Sequence, residues 1–141
     1  MKIFLDTSCL FKLYYQEDGT DEVEKLFIEN TITTIFLSEI AKLEFASTVW
    51  KKVRKREIKE TQADIMVQLF EKDYAKYTFI IIDGIILEQA KNLIARYGAE
   101  GLRTSDSIQL STAVALRNKA DLFKTTDELL KSFFKQELLL T

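Results

Sequence analysis

The sequence predicts an α/β fold: a mostly parallel sheet covered by helices on both faces, with a helical arm at its side. Three observations carry that reading. Short apolar segments (KIFL at 2–5, ITTIFL at 32–37, TFIII at 78–82 and LFK at 122–124) alternate with longer amphipathic stretches. Such alternation builds a parallel sheet joined by crossover helices. The chain has 141 residues, 47% of them hydrophobic, which is the size of one compact domain with a core of its own. It has no proline and four glycines, so no linker composition divides residues 1–141.

Residues 2–5 form the first expected strand, closed by Asp6. Thr7 or Ser8 can cap a following helix whose face includes Leu10, Leu13 and Tyr14. Gly19 breaks that element, and Asp21 and Glu22 open a second helix carrying Val23, Leu26 and Phe27. Residues 32–37 are rich in β-branched and aromatic types and read as a strand. Ser38 is the expected cap of a helix reaching about Val53, with Ile40, Leu43, Ser47 and Trp50 on its buried face. Ile58, Ile65, Leu69 and Phe70 mark the inward face of a long helix over residues 59–74. Two helices in a row between strands predict the arm at 38–76.

The third strand, 78–82, ends at Asp83-Gly84, a strong turn signal. The next helix carries Leu87, Ala90, Leu93 and Ile94, and Gly98 is placed to end it in the left-handed conformation. Thr104 is the expected cap of a helix with Ile108, Ala113 and Leu116 on its apolar side. Residues 122–124 read as a short strand, Asp127 to about Phe134 as the last helix, and Leu138–Leu140 as an edge strand.

Composition narrows the chemistry. There is no histidine, which removes the usual general base, the common Zn2+ ligand and Ser-His-Asp mechanisms. Cys9 is the only cysteine and reads as a small buried hydrophobe. Twenty basic against 22 acidic residues argue against coating nucleic acid by bulk charge. The run Lys51, Lys52, Val53, Arg54, Lys55, Arg56 is a local exception, either a solvated helix end or a contact with a phosphate backbone or acidic partner. No segment approaches the roughly 20 apolar residues of a membrane span, and a cytoplasmic location is the expectation.

Four acids stand out: Asp6, Glu44, Asp106 and Asp127. Each lies beside or inside an apolar segment, where a carboxylate is costly without compensation. A hard divalent cation such as Mg2+ or Mn2+ compensates several at once. Ligands of open parallel sheets gather outside the carboxyl ends of the strands. Asp6 follows its strand directly, Asp127 follows strand 122–124 within three residues, and Asp106 falls in a first helical turn, where negative charge is favoured. Glu44 lies about 40° around the helix axis from Ile40 and borders the apolar stripe. Asp83 is their main competitor and reads as a turn residue. Glu17, Asp18, Glu57 and Asp73 fit solvated faces or turns.

These residues also carry a resemblance. FLDTSCLFKLYY is similar to the opening of the PIN-domain ribonucleases, in particular the toxin subunits of bacterial and archaeal toxin–antitoxin pairs (the VapC type). LSEIAKLEFASTVWKK resembles their second motif, LRTSDSIQLSTAVAL the third and LFKTTDELL the fourth. The resemblance covers nearly the whole chain in order. It implies a PIN-like three-layer α/β/α sandwich, with Asp6, Glu44, Asp106 and Asp127 as catalytic and metal-holding acids. Thr7 or Ser8 would support Asp6. It further implies a Mg2+ or Mn2+ cofactor, an RNA substrate and a protein antitoxin as partner. Two departures are Ser105, where an apolar residue is common, and the acidic overall balance.

The chemistry expected of such a site is attack of water on phosphorus, which leaves a 3′-hydroxyl and a 5′-phosphate. Arg103 beside Asp106 would either hold a substrate phosphate or pair with an acid. The apolar bulk of Phe45, Val49, Trp50, Ile65 and Phe70 in the arm is read as core or as a surface for a partner helix or a homodimer. Rival functions are phosphotransfer through Asp6 as nucleophile, a catalytically silent binding module, and DNA in place of RNA. Phosphotransfer wants an activating lysine or a second carboxylate two residues on; the residue two on is Ser8, and no lysine has an obvious strand-end position near the acids.

Overall fold

A computed structural model describes residues 1–141. Strands β1 (Lys2–Leu5), β2 (Thr34–Ser38), β3 (Thr78–Ile80) and β4 (Leu122–Lys124) form one sheet in the order β3-β2-β1-β4. Every pairing is parallel, with Phe4 opposite Phe36 on one side and Phe123 on the other. The intervening helices are α1 (Thr7–Phe11), α2 (Thr20–Glu29), α3 (Ala41–Arg54), α4 (Glu60–Lys72), α5 (Gly84–Tyr97), α6 (Thr104–Ala115) and α7 (Glu128–Gln136).

Alternation along β1 divides the core in two. Phe4 points to one face, where Leu93, Leu110, Leu130 and Phe134 of α5, α6 and α7 bury it. Ile3 and Leu5 point to the other, against Leu10, Phe45 and Phe70 of α1, α3 and α4. With period-2 side chains, one strand thus holds both helical layers. This is the three-layer α/β/α arrangement that the sequence predicts.

Several local expectations are corrected. On α3 the buried stripe is Ala41, Phe45 and Val49, whereas Leu43 is 74% exposed and Trp50 38%. On α4 it is Ala63, Met66 and Phe70, with Ile65 and Leu69 exposed. The aromatic cluster of Tyr14, Phe45 and Phe70 sets both rotations, since Phe45 and Phe70 stack with ring centroids 4.5 Å apart. Leu87 is likewise exposed, and Ile86 takes the buried place on α5.

Gly98 is not left-handed (φ −58°); the chain makes one 3-10 turn first and reverses at Gly101 (φ 107°). Ser38 lies in β2, its Oγ accepting from Ile40 N–H, and α3 starts at Ala41. Thr104 is the first residue of α6 and Arg103 occupies its cap position. Leu138–Leu140 forms no strand because Leu138 takes a left-handed φ of 59°; one bond from Phe123 N–H to Leu140 O ties the segment down.

Candidate active site

The parallel sheet sends β1, β2 and β4 in one direction, so the starts of α1, α3 and α7 gather beyond their carboxyl ends. There a cleft of about 250 Å³ opens, and Asp6, Glu44, Asp106 and Asp127 all line it. The four acids chosen from the sequence are thus brought together from four separate segments. No helix in the molecule is long and apolar enough to cross a membrane.

Asp6 forms the floor. It is 4% exposed and caps α1 by accepting from Cys9 N–H at 3.0 Å. Ser8 Oγ reaches its two oxygens at 2.7 and 2.9 Å, and Thr125 Oγ1 donates to Oδ2 at 2.6 Å. Backbone groups aim both hydroxyls: Thr126 N–H donates to Ser8 Oγ and Asp127 N–H to Thr125 Oγ1. The loop after β4 is thereby stitched to the loop after β1. Even so, burial lifts the Asp6 carboxyl to about 6; the Thr125, Cys9 and Ser8 bonds pull it down, and Glu44 nearby pushes it up.

Glu44 stands in the first turn of α3, half-buried. Thr7 Oγ1 donates to its Oε1 at 2.9 Å and Gln109 Nε2 to the same atom at 2.7 Å. Of the two hydroxyls beside Asp6, Ser8 serves Asp6 and Thr7 serves Glu44. Burial raises the Glu44 carboxyl, the Gln109 and Thr7 bonds lower it, and Asp106 raises it. Asp106, in the first turn of α6, is raised by burial and by Asp127, with Arg103 acting the other way. Asp127 caps α7, its Oδ1 accepting from Leu130 N–H at 2.7 Å. It is therefore both a cap and a wall of the cleft.

The donor set is hard oxygen throughout, and the raised carboxyls are those a cation would stabilise in their charged form. No group of three or more acids is placed as a ready-made cage, so water or substrate oxygens would complete the coordination of an ion held there. That is the ordinary habit of Mg2+.

The other expected residues divide. Arg103 is exposed, makes no ion pair and does not line the cleft. Asp83 caps α5 through Ile86 N–H at 2.9 Å, away from the cleft. Glu17 is not a solvated acid: it lines the cleft and bridges Lys12 at 2.8 Å and Lys52 at 3.4 Å. Lys12, at the end of α1 and not at a strand end, also lines the cleft, and its ammonium is held by Glu17. Asp73 accepts from Tyr14 Oη. Cys9 is buried, and burial raises its thiol well above the usual range, which keeps it inert.

Thr125, Gln109 and Lys12 were not singled out from sequence. Thr125 had a usable signal, a hydroxyl one residue past a strand in the position Asp6 holds after its own strand. Gln109 had another, a lone amide three residues from Asp106 beside buried Leu110.

Solved structures share the fold. VapC20 of Mycobacterium tuberculosis, a sarcin-ricin loop cleaving toxin, is 14% identical, with a TM-score of 0.69 over 92% of this chain and 93% of that one. VapBC2 from Rickettsia felis, bound to a DNA fragment from its promoter, is 21% identical, with a TM-score of 0.65 over 100% and 98%. No curated protein sequence matches the chain. The PIN domain model matches residues 3–133, and on that match the chain belongs to the PIN-domain family.

Proposed function

We propose that this protein is a Mg2+- or Mn2+-dependent endoribonuclease, the toxin component of a toxin–antitoxin pair. The observation that carries the reading is the convergence of Asp6, Glu44, Asp106 and Asp127 on one cleft in a chain of this family. Structural likeness to VapC20, a sarcin-ricin loop cleaving toxin, favours RNA as the substrate class.

Asp6 and Asp106 would hold the ion most directly, with Glu44 and Asp127 direct or through water. A bound Mg2+ or Mn2+ supplies Lewis acidity at the phosphoryl oxygen and lowers the pKa of water. Ser8 and Thr125 fix the direction of the Asp6 carboxylate. The acids leave the cleft strongly negative without a cation, so the RNA backbone and the ion are expected to enter together. Outside the cleft, a neighbouring hollow shares Glu17 and Thr48 with it and adds Lys51, Lys52 and Lys55. Lys52 is held there by Glu17 and Glu57, so Lys51 and Lys55 would take phosphates flanking the cut. Arg103, three residues from Asp106, would serve the same end once RNA is bound. Water attack at phosphorus, with the P–O3′ bond breaking, gives a 3′-hydroxyl and a 5′-phosphate.

VapBC2 is a structural neighbour solved on promoter DNA, which favours an antitoxin partner here. Phe45, Val49 and Phe70 are spent in the core, but Leu43, Trp50, Ile65 and Leu69 remain exposed on α3 and α4. That surface would receive the antitoxin or a second copy of the chain. Sedimentation at high micromolar concentration tests the homodimer, and a monomer there excludes a stable one.

The decisive assay incubates mixed RNA pools with Mn2+, with EDTA and with the Asp6→Asn variant, then maps product ends. Cleavage should need Mn2+ and Asp6. A 2′,3′-cyclic phosphate end would overturn the water mechanism, and Mn2+-independent cleavage would overturn the metal.

A further inference from the structure

Gln109 is 2% exposed on α6, one turn from Asp106 and on the same face. Its Nε2 spends both hydrogens at the cleft: one on Thr7 Oγ1 at 3.0 Å, the other on Glu44 Oε1 at 2.7 Å. The Thr7 hydroxyl then donates its own hydrogen to Glu44 Oε1 at 2.9 Å. Three side chains from α1, α3 and α6 close a small ring. Both donors land on Oε1 of Glu44, and Oε2 accepts from neither.

The ring has a cost. Gln109 Oε1 is the one buried side-chain polar atom in the molecule without a hydrogen-bond partner. Turning the amide over would set that oxygen against the Glu44 carboxylate, so the present orientation is fixed by charge. A leucine or methionine at this buried position would leave no orphaned carbonyl. Buried polar atoms are normally satisfied, and exceptions gather at functional sites. Core packing therefore does not account for a glutamine here, whereas Glu44 does.

We infer that Gln109 is a positioning residue: with Thr7 it pins Oε1 of Glu44 and so presents Oε2 to the divalent cation. The inference rests on the metal-dependent reading given above. Glu44 is carried on the first turn of a helix and lacks the backbone anchor that Cys9 N–H gives Asp6. The Gln109 amide supplies the missing constraint, in the way that groups behind a metal ligand orient it.

The test is Gln109→Met, close in shape but without donors or the unpaired oxygen. Mn2+ binding to the RNA-free protein is followed by the EPR signal of the free ion. Affinity should fall about 10-fold or more, the usual scale for loss of such a support. The metal-free melting temperature should hold or rise, because the orphaned carbonyl is gone. In cleavage, kcat should fall while KM for RNA is unchanged. In a Glu44→Gln background, Gln109→Met should leave Mn2+ affinity where it was, since its effect passes through the Glu44 carboxylate. Unchanged Mn2+ affinity in the single variant would overturn the positioning role while leaving the metal reading intact. So would a lowered metal-free melting temperature with no loss of affinity, or a full further loss in the Glu44→Gln background. Absence of Mn2+ binding by the wild-type protein would remove the metal reading and this inference together.

Discussion

The rim above β1 and β4 and the outer edge at β3 carry the same local device and do different things with it. Asp6, Asp127 and Asp83 each lie a few residues past a parallel strand and cap the next helix. Each accepts from the amide three residues on, at 3.0, 2.7 and 2.9 Å respectively. Along the chain they are nearly indistinguishable. Strand order separates them: β4 lies beside β1, while β3 lies beyond β2. Asp6 and Asp127 therefore share a cleft, and Asp83 faces solvent. A helix cap is a local event, and a site is a meeting of several caps.

The sharpest break of this comparison is charge removal at one member of each kind. Asp6→Asn keeps the shape and should cost cleavage at least about 100-fold, the scale of losing one well-placed charge contact. Circular dichroism should show the fold retained. Asp83→Asn should leave cleavage as it is. Equal loss in the two variants would mean that the cleft is not where the chemistry happens.

Thr125→Val comes next in size. It removes the shortest bond to Asp6 and the largest influence holding its carboxyl down. Cleavage should fall about 10-fold, and the Asp6 carboxyl, followed by 13C NMR without metal, should titrate above about 6. A titration that stays put would show that Thr125 only closes the loop after β4.

That Thr125 has to be learned from the structure marks the boundary of what the residues disclose alone. Asp6, Asp127 and Asp106 were legible from their places after a strand or in a first helical turn, whereas Glu44 was marked only by the apolar stripe it borders and by the resemblance of its segment to the family's second motif. The three-layer plan was legible too, from the alternation of short apolar runs with amphipathic ones. The rotation of α3 was not. It carries two apolar stripes, Ala41-Phe45-Val49 and Leu43-Trp50, and the choice between them is made by Tyr14 and Phe70, which arrive from distant segments. The roles of Thr7 and Ser8 could not be divided for the same reason. Only the approach of α3 sends one hydroxyl to Glu44 and leaves the other with Asp6.

Asp6 also gives the rim a pH dependence. Its folded carboxyl lies at about 6 against an ordinary 3.8, so the folded state holds a proton that the unfolded chain releases. Its contribution to stability is complete below 3.8 and is lost as pH rises through about 6. The span corresponds to a loss of about 3 kcal/mol at most, at 1.36 kcal/mol per unit. Glu44 and Asp106 shift in the same direction and add to it. Urea unfolding of metal-free protein between pH 4 and 7 should show this decline, and saturating Mn2+ should suppress it. Asp6→Asn should flatten most of it; an undiminished slope in that variant would assign the effect to other acids.

The smallest effect is the most discriminating, because it separates capping from chemistry within single residues. Asp83→Ala removes only a cap and should cost about 1 kcal/mol of stability with cleavage unchanged. Asp127→Ala should lose a similar amount and, in addition, lose activity. Asp127→Asn isolates the second role. Asparagine caps as well as aspartate, so Leu130 N–H keeps its acceptor while the charge that faces Asp106 disappears. Stability should hold while cleavage falls. If Asp127→Asn cleaves RNA at the wild-type rate, Asp127 belongs with Asp83 among the caps, and the cleft works with three acids instead of four.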